Sequence, residues 1–342
     1  MRAMILRSLG PVGEDGAPLT PAELPDPVPG PGEVRIRVAV CGVCHTELDE
    51  IEGRTPPPRL PVVPGHQVVG RVDALGAGVT SPREGDRVGV AWIWSSCGHC
   101  KFCREGNENL CPEFRATGRD ADGGYAELMI ARADYVYPIP EIFSDVEAAP
   151  LLCAGAIGYR SMKLSGLRDG EPLGLTGFGA SAHLVLKMVR HRYPNSRVHV
   201  FARSEGERAF ARELGAAWAG DAADEPPEKL AAILDTTPAW QPVVEALRNL
   251  EPAGRLLINA IRKEERDKDA LLRLDYPRDL WLEKEVKSVA NVARSDVREL
   301  LALAAEIPIR PETQEYPLEE ANRALLELKA RQIRGAKVLR IA

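Results

Sequence analysis

The chain has no run of roughly 18 apolar residues, the length a bilayer-spanning helix needs, so no membrane span is expected. It also has no excess of positive charge. Lys and Arg number 44 against 50 Asp and Glu, a net charge of −6, which argues against nucleic acid or an anionic membrane surface as the main partner. The N-terminus shows no charged-then-apolar secretion pattern, so a cytoplasmic setting is expected. There is no internal repeat and no low-complexity tail. Gln, Asn and Met are scarce, at four, seven and five residues. That scarcity beside abundant Glu and Arg follows the trend of hyperthermophilic proteins, although a GC-rich genome would produce a similar bias. Cysteine is scarce too, seven in 342 residues, yet four of the seven crowd into one loop.

Those four are Cys97, Cys100, Cys103 and Cys111, on a stretch broken by Gly98 and Gly106. Four thiols so close in sequence can surround one ion without help from the rest of the chain. Tetrathiolate is the closed shell of structural zinc, which takes sulfur at about 2.3 Å and needs no open position. The alternative is a pair of disulfides, which rarely persist in a reducing cytosol. A closed site holds a loop in place and does no chemistry.

The remaining cysteines are Cys41, Cys44 and Cys153. Cys44 follows a glycine-containing turn, Pro64-Gly65 precedes His66, and Cys153 sits in Pro150-Leu-Leu-Cys-Ala-Gly155. One Cys, one His and another Cys from three segments would hold zinc with its fourth position open, as a catalytic site requires. Each alone is a weak signal, because a lone Cys is more often a small buried hydrophobe.

Between and beyond these segments the texture changes once. Val34–Val40 alternates apolar and polar positions as a half-buried strand should, and Val68–Ala74 and Arg87–Trp92 are further short β-type runs separated by Gly- and Pro-rich turns. Such spacing predicts a β-rich, barrel-like domain. After about residue 155 short apolar strands alternate with helical runs: Pro172–Gly177, a helix over Ala182–Arg192, Arg197–Ala202, Ala231–Leu234 and Arg255–Ile258. That alternation predicts a doubly wound parallel sheet of the Rossmann type. The fold expected is therefore α/β in two domains, residues 1–154 plus 291–342 and residues 155–290. The turn after the first strand of the second domain carries Gly177, Gly179 and Ala182. The first permits a tight turn, the second lets backbone approach a pyrophosphate at a helix N-terminus, and the third is small enough for close helix packing.

Taken together, the segments CGVCHTE, PGHQVVGRV, EGDRVGV, CGHCKFC with its fourth cysteine, PLLCAG and GFGASAH resemble the zinc-dependent medium-chain alcohol dehydrogenases. The resemblance runs from about residue 3 to the C-terminus. It implies Cys44, His66 and Cys153 as catalytic zinc ligands and the four-cysteine loop as the structural set, two zinc ions per chain. It makes Cys41 a structural thiol. It places Thr46 against the reacting oxygen as the start of a proton relay, with Asp49 standing where relatives have a relay histidine. His45 matches a position that contacts the cofactor pyrophosphate. Glu47 and Gln67 lie behind the metal ligands, Glu47 where Asp is usual and Gln67 where Glu is usual. Trp92 matches a substrate-pocket position that restricts the alcohol to small or primary groups, with Trp94 able to compete for that role.

The resemblance also implies a nicotinamide cofactor. Its acidic ribose-binding position falls on Ala202, followed by Arg203 and Ser204. No carboxylate there repels a 2′-phosphate, and Arg203 could pair with one. This tilts the expectation slightly toward NADP(H) over NAD(H). The expected partners are a small alcohol or carbonyl and further copies of the chain, as dimer or tetramer. A related zinc reductase or polyol dehydrogenase, and a non-catalytic nucleotide-sensing scaffold, stand as alternatives. The intact Cys44, His66, Cys153 and Thr46 set speaks against the scaffold.

Overall fold

In the computed structural model, which describes residues 1–13, 17–307, 309–330 and 335–341, the alternating and apolar runs become strands. An antiparallel pair, β1 (Arg2–Leu6) and β2 (Leu19–Glu23), precedes β3 (Glu33–Val43), helix α1 (His45–Ile51) and β4 (Val68–Leu75). Next come β5 (Arg87–Val90), β6 (Ile93–Ser95), α2 (Lys101–Arg104), β7 (Arg115–Ala116), β8 (Leu128–Arg132), β9 (Val136–Pro138) and α3 (Asp145–Pro150). Strand–helix alternation then takes over with α4 (Ala156–Ser165), β10 (Leu173–Thr176), α5 (Ala180–Arg192), β11 (Val198–Phe201) and α6 (Glu205–Glu213). It continues through β12 (Trp218–Gly220), β13 (Leu230–Asp235), α7 (Gln241–Asn249), β14 (Leu250–Ile258) and β15 (Glu285–Ser288). Helix α8 (Arg294–Glu306), β16 (Thr313–Pro317), α9 (Ala321–Lys329) and β17 (Ala336–Arg340) end the chain. No helix among the described residues is long and apolar enough to cross a membrane.

Met1–Cys153 and Val292–Ala342 form one unit. Its main sheet runs β16-β17-β3-β4-β5-β9, with β8 also paired to β3. Val34, Ile36, Val38 and Val40 face the core, while Arg35 and Arg37 between them both bind Asp73 of β4. This is the period-2 pattern of a strand with one buried face. Register shifts between β3 and β4 at Arg35/Ile36 and Val38/Val40 bend the sheet toward a barrel.

The terminal strand β17 buries a charge the sequence pattern did not single out. Lys337 is 1 % exposed and donates to Gln314 Oε1 at 2.9 Å, Tyr316 Oη at 2.5 Å and Glu327 Oε2 at 2.7 Å. Bonds from Lys337 and Tyr316 hold the Glu327 carboxyl at about 2, below the usual carboxylate range. A depressed carboxylate stabilises the fold fully above its unfolded pKa, and that stability is lost as pH falls toward the folded value. Unfolding by denaturant should therefore become easier between about pH 4 and pH 2, and Lys337→Met should lose roughly 1.5–3 kcal/mol at pH 7. An equal acid response in wild type and variant would show that this network is not its source.

Ala154–Asn291 form the second unit. All its strand pairings are parallel, in the order β12-β11-β10-β13-β14-β15. Leu173, Leu175, Val200, Ile233, Leu256 and Leu257 are fully buried, the continuous apolar pattern of strands covered on both faces. The strand order reverses between β10 and β13, the switch point beyond whose carboxyl ends ligands bind in open α/β sheets. Gly177 and Thr236 stand there. Helix α5 starts at Ala180, two residues before the expected Ala182, because Gly179 takes the N-cap position.

Candidate functional site

Three segments of the first unit bring Cys44, His66 and Cys153 together, their donor atoms all within 4.8 Å of one another. Cys44 is the N-cap of α1, and its Sγ accepts the Thr46 N–H at 3.3 Å. His66 follows Gly65, whose φ of +99° suits glycine; a Cβ there would lie 2.4 Å from the Tyr125 ring. Cys153 lies in a widened π-helical turn, Leu151–Gly155, directly after Pro150. Proline has no N–H to continue an α-helical ladder, and such single wide turns recur at functional sites.

Glu47 serves two neighbours at once. Its Oε2 accepts the Cys44 N–H at 2.8 Å, closing a capping box, and its Oε1 lies 2.6 Å from His66 Nδ1. A carboxylate on Nδ1 fixes the imidazole and leaves Nε2 for a metal, and Nε2 faces Cys44 Sγ at 3.6 Å. Burial opposes charge on His66, but Glu47 and then Cys44 outweigh it and raise its pKa well above that of a free imidazole. Bonding to Cys153, followed by burial and Glu47, pushes the Cys44 thiol up. Such close donors compete for protons, and a divalent cation resolves the competition by replacing them. The donor set is soft, N and S, which fits zinc.

Around these donors the other expected residues take distinct places. Thr46 is half-buried and His45 exposed at the start of α1. Asp49, 5 % exposed, pairs with Arg54 at 2.5 Å, a partner the sequence pattern did not reveal. Gln67 is buried with its side chain against Gly42. Cys41 is fully buried, and burial raises its thiol pKa, as a structural thiol should. Trp92 packs on Phe114 with ring centroids 4.8 Å apart, whereas Trp94 lies beneath the Arg115 guanidinium at 4.5 Å. The two tryptophans are thus committed to different neighbours.

In the cysteine loop, Cys100 and Cys103 sulfurs are 3.5 Å apart and Cys97 and Cys103 sulfurs 3.9 Å. A tetrahedron with sulfur at about 2.3 Å from its centre has edges of about 3.8 Å, whereas a disulfide needs about 2.05 Å. All four donor atoms lie within 4.8 Å of one another. Backbone N–H groups of Cys97 and Cys100 point at the sulfurs of Cys111 and Cys97, which suits thiolates.

In the second unit Gly177 has φ +79°, and a Cβ there would strike Thr236 Oγ1 at 2.8 Å. Gly179 caps α5 with no side-chain bond to the first amides, and a Cβ on it would meet nothing. Open space over uncapped N–H groups of a 13-residue helix fits a pyrophosphate. Ala182 is fully buried. Asp235, also fully buried, binds Lys263, which further donates to the Thr237 and Ala239 carbonyls at 2.7 and 3.0 Å. This buried pair holds the turn facing Gly177. At the end of β11, Arg203 is exposed and Ser204 caps α6, its hydroxyl engaged with Glu207. Arg208 was not foreseen. Its guanidinium donates to the carbonyls of Ala202 and Arg203 at 2.9 and 3.1 Å, placing a second cation at that strand end. Only its spacing, one helical turn after Ser204, could have marked it.

Comparison with known proteins bears on the family. The alcohol dehydrogenase GroES-like domain family matches residues 30–141. The chain is 42% identical to a probable alcohol dehydrogenase, AdhA, of Mycobacterium tuberculosis, over 100% of this chain and 97% of that protein. It is 33% identical to an alcohol dehydrogenase of Geobacillus stearothermophilus, over 95% and 96% of the two chains. Among solved structures it is similar to a cinnamyl alcohol dehydrogenase of Sorghum bicolor, with a TM-score of 0.83 and 27% identity over 99% and 97% of the chains. It is also similar to the alcohol dehydrogenase of Aeropyrum pernix, with a TM-score of 0.85 and 26% identity over the whole of both chains.

Proposed function

Because the chain belongs to the zinc-dependent medium-chain alcohol dehydrogenase family, we propose that Cys44, His66 and Cys153 hold the metal at which alcohols and carbonyls are interconverted. The protein is a zinc- and nicotinamide-dependent oxidoreductase of small alcohols and aldehydes or ketones. The observation that carries the site assignment is the convergence of one imidazole and two sulfurs behind a Glu47-oriented His66. When bound, zinc supplies Lewis-acid activation of the substrate oxygen and nicotinamide gives or takes the hydride.

The chain's own residues do the rest. Glu47 keeps the His66 Nδ1 proton in place. The Thr46 hydroxyl receives the substrate's proton and passes it along α1 to Asp49, one turn further on, with Arg54 compensating the Asp49 charge. Gln67, neutral and folded over Gly42, adds no negative charge beside the ligands. Trp92, braced by Phe114, limits the substrate to small or primary groups. The uncapped start of α5, through Gly177, Gly179 and Ala182, binds the pyrophosphate. Residues 1–154 with 291–342 form the catalytic domain and residues 155–290 the dinucleotide domain.

We further propose two zinc ions per chain, one held by the three catalytic donors and one by Cys97, Cys100, Cys103 and Cys111, since the sets share no residue. Elemental analysis of a chelator-free preparation, with a panel of alcohols and aldehydes assayed with both cofactors, tests the reading. One zinc or none, with no turnover of any substrate, would sink it.

For the cofactor, Ala202 offers no acceptor to the ribose hydroxyls, while Arg203, Ser204 and Arg208 line the same strand end. Arg208 already pairs with Glu205 and lies 3.5 Å from Asp221, and solvent screens Arg203, so the preference is modest. NADP(H) should exceed NAD(H) by about tenfold in kcat/KM, the equivalent of about 1.4 kcal/mol. Ala202→Asp should reverse it by repelling the 2′-phosphate and binding the ribose. A wild-type enzyme that prefers NAD(H) would show that these cations do not reach the cofactor.

The edge strand β15 is exposed along its length, with Val286 at 49 %, and Trp281 and Leu282 beside it are 54 % and 51 % exposed. An open edge with apolar neighbours suits pairing with a second copy, so light scattering should report a dimer or tetramer. A monomer at assay concentration would refute this part of the reading.

A further inference from the structure

We propose that Arg294, the first residue of α8, positions the cysteine loop, so that metal retention there and docking of the start of α8 form one coupled equilibrium. The proposal rests on the reading of that loop as a zinc site. Its observations are hydrogen bonds and a ring contact that converge on one guanidinium.

Two arms leave Arg294. The first is ionic: Nε donates to Glu108 Oε1 at 2.8 Å. Glu108 is 5 % exposed, and its other oxygen is buried with no hydrogen-bond partner among the described residues. Its charge is therefore compensated mainly by Arg294. The backbone carbonyl of Glu108 accepts the Cys111 N–H at 3.0 Å, so holding Glu108 holds the last ligand of the loop.

The second arm runs through an aromatic ring. The Arg294 guanidinium lies 4.7 Å from the centre of the Tyr135 ring, and Tyr135 is 3 % exposed. The Tyr135 oxygen accepts the Ser96 N–H at 3.0 Å and lies 2.7 Å from Ser96 Oγ. Ser96 Oγ in turn lies 3.4 Å from Cys103 Sγ. With Cys103 as a thiolate, only one proton order satisfies this chain. Tyr135 donates to Ser96 Oγ, and the Ser96 hydroxyl donates to the sulfur. A cation over the ring draws electron density from it and makes the phenol a better donor. Arg294 further donates to the Asp134 carbonyl at 3.3 Å, next to Tyr135 in the chain.

One side chain thus fixes the loop at Cys111 through Glu108 and at Cys103 through Tyr135 and Ser96. Coupling of this kind is reciprocal. Whatever factor docking of the start of α8 adds to the equilibrium affinity for zinc is the factor by which zinc loss loosens that docking.

The test begins with the wild-type metal count, which judges the two-zinc reading separately. Zinc release to a chromophoric chelator is then followed, and the loop's phase is identified as the one that survives in Cys153→Ala. Arg294→Met should speed that phase by roughly 10–100-fold, the usual cost of losing a partner behind a ligand. Tyr135→Phe, which keeps the ring and removes one hydroxyl, should speed it less, and Arg294→Lys should fall between wild type and Arg294→Met. Hydrogen exchange at amides 297–300 should accelerate when the loop's zinc is removed from the wild type, and removal should add little in Arg294→Met. Unchanged release in Arg294→Met, or unchanged exchange on zinc removal, overturns the coupling. If Arg294→Met does not fold, Tyr135→Phe and Arg294→Lys decide alone, and wild-type release in both overturns it. A wild type with no zinc in the loop overturns the underlying zinc reading instead.

Discussion

Cys153→Ala should abolish turnover while leaving a folded protein that retains one zinc per chain. Three donors within 4.8 Å suffice to hold a cation in place, and removal of one sulfur leaves two. Metal polarisation contributes several kcal/mol to the transition state, so the rate should fall by roughly 10³-fold or more. The fold should survive, because Cys153 is a half-buried residue of a short wide turn and not a core side chain. Cys103→Ala should do the reverse, lowering stability and releasing the loop's zinc, with the catalytic donors untouched. Near-normal rates in Cys153→Ala would show that the reacting site lies elsewhere.

Thr46→Ala should lower turnover by a factor on the order of 10²–10⁴, the range for lost acid–base help, with zinc content unchanged. Thr46 lies in the first turn of α1, two residues from Cys44, and its N–H already points at the Cys44 sulfur. The hydroxyl is therefore tethered near the metal donors by the same turn that presents Cys44. Thr46→Ser keeps the hydroxyl and should keep most activity, which separates chemistry from packing. Asp49→Asn asks where the proton goes next. Arg54 already neutralises Asp49 and also pairs with Glu52, so in the variant the exposed Arg54 keeps one carboxylate partner and gains a weaker one. If the pH–rate profile of Asp49→Asn matches wild type, the proton leaves directly to solvent. Wild-type turnover in Thr46→Ala would remove Thr46 from the mechanism.

Legibility in the sequence followed the range of the interaction. The β3 strand could be read because alternation of Val34, Ile36, Val38 and Val40 with Arg35 and Arg37 is a local pattern with a local cause. The same holds for the Gly177 turn, whose positive φ demands glycine. Pairings between distant elements were illegible. Nothing near Lys337 in sequence announces a fully buried lysine, because its partners Gln314, Tyr316 and Glu327 arrive from β16 and α9. Lys263 reads as a loop lysine until β13 brings Asp235 to it. The separate partners of Trp92 and Trp94, Phe114 and Arg115, were likewise illegible.

By itself the sequence determined the fold class, the order of the two domain types and the cysteine loop, because each depends on residues within a few positions of one another. Hydrophobic period, turn chemistry and thiol spacing act at that range. The tertiary structure decided which lone side chains become partners. Cys44, His66 and Cys153 meet through the turns that follow β3, precede β4 and follow α3. Glu47 reaches His66 because α1 turns it inward, and Arg294 reaches Glu108 from the start of α8. Such contacts are set by crossover order and packing, because each of these side chains stands on a turn or helix whose position depends on the strands it joins.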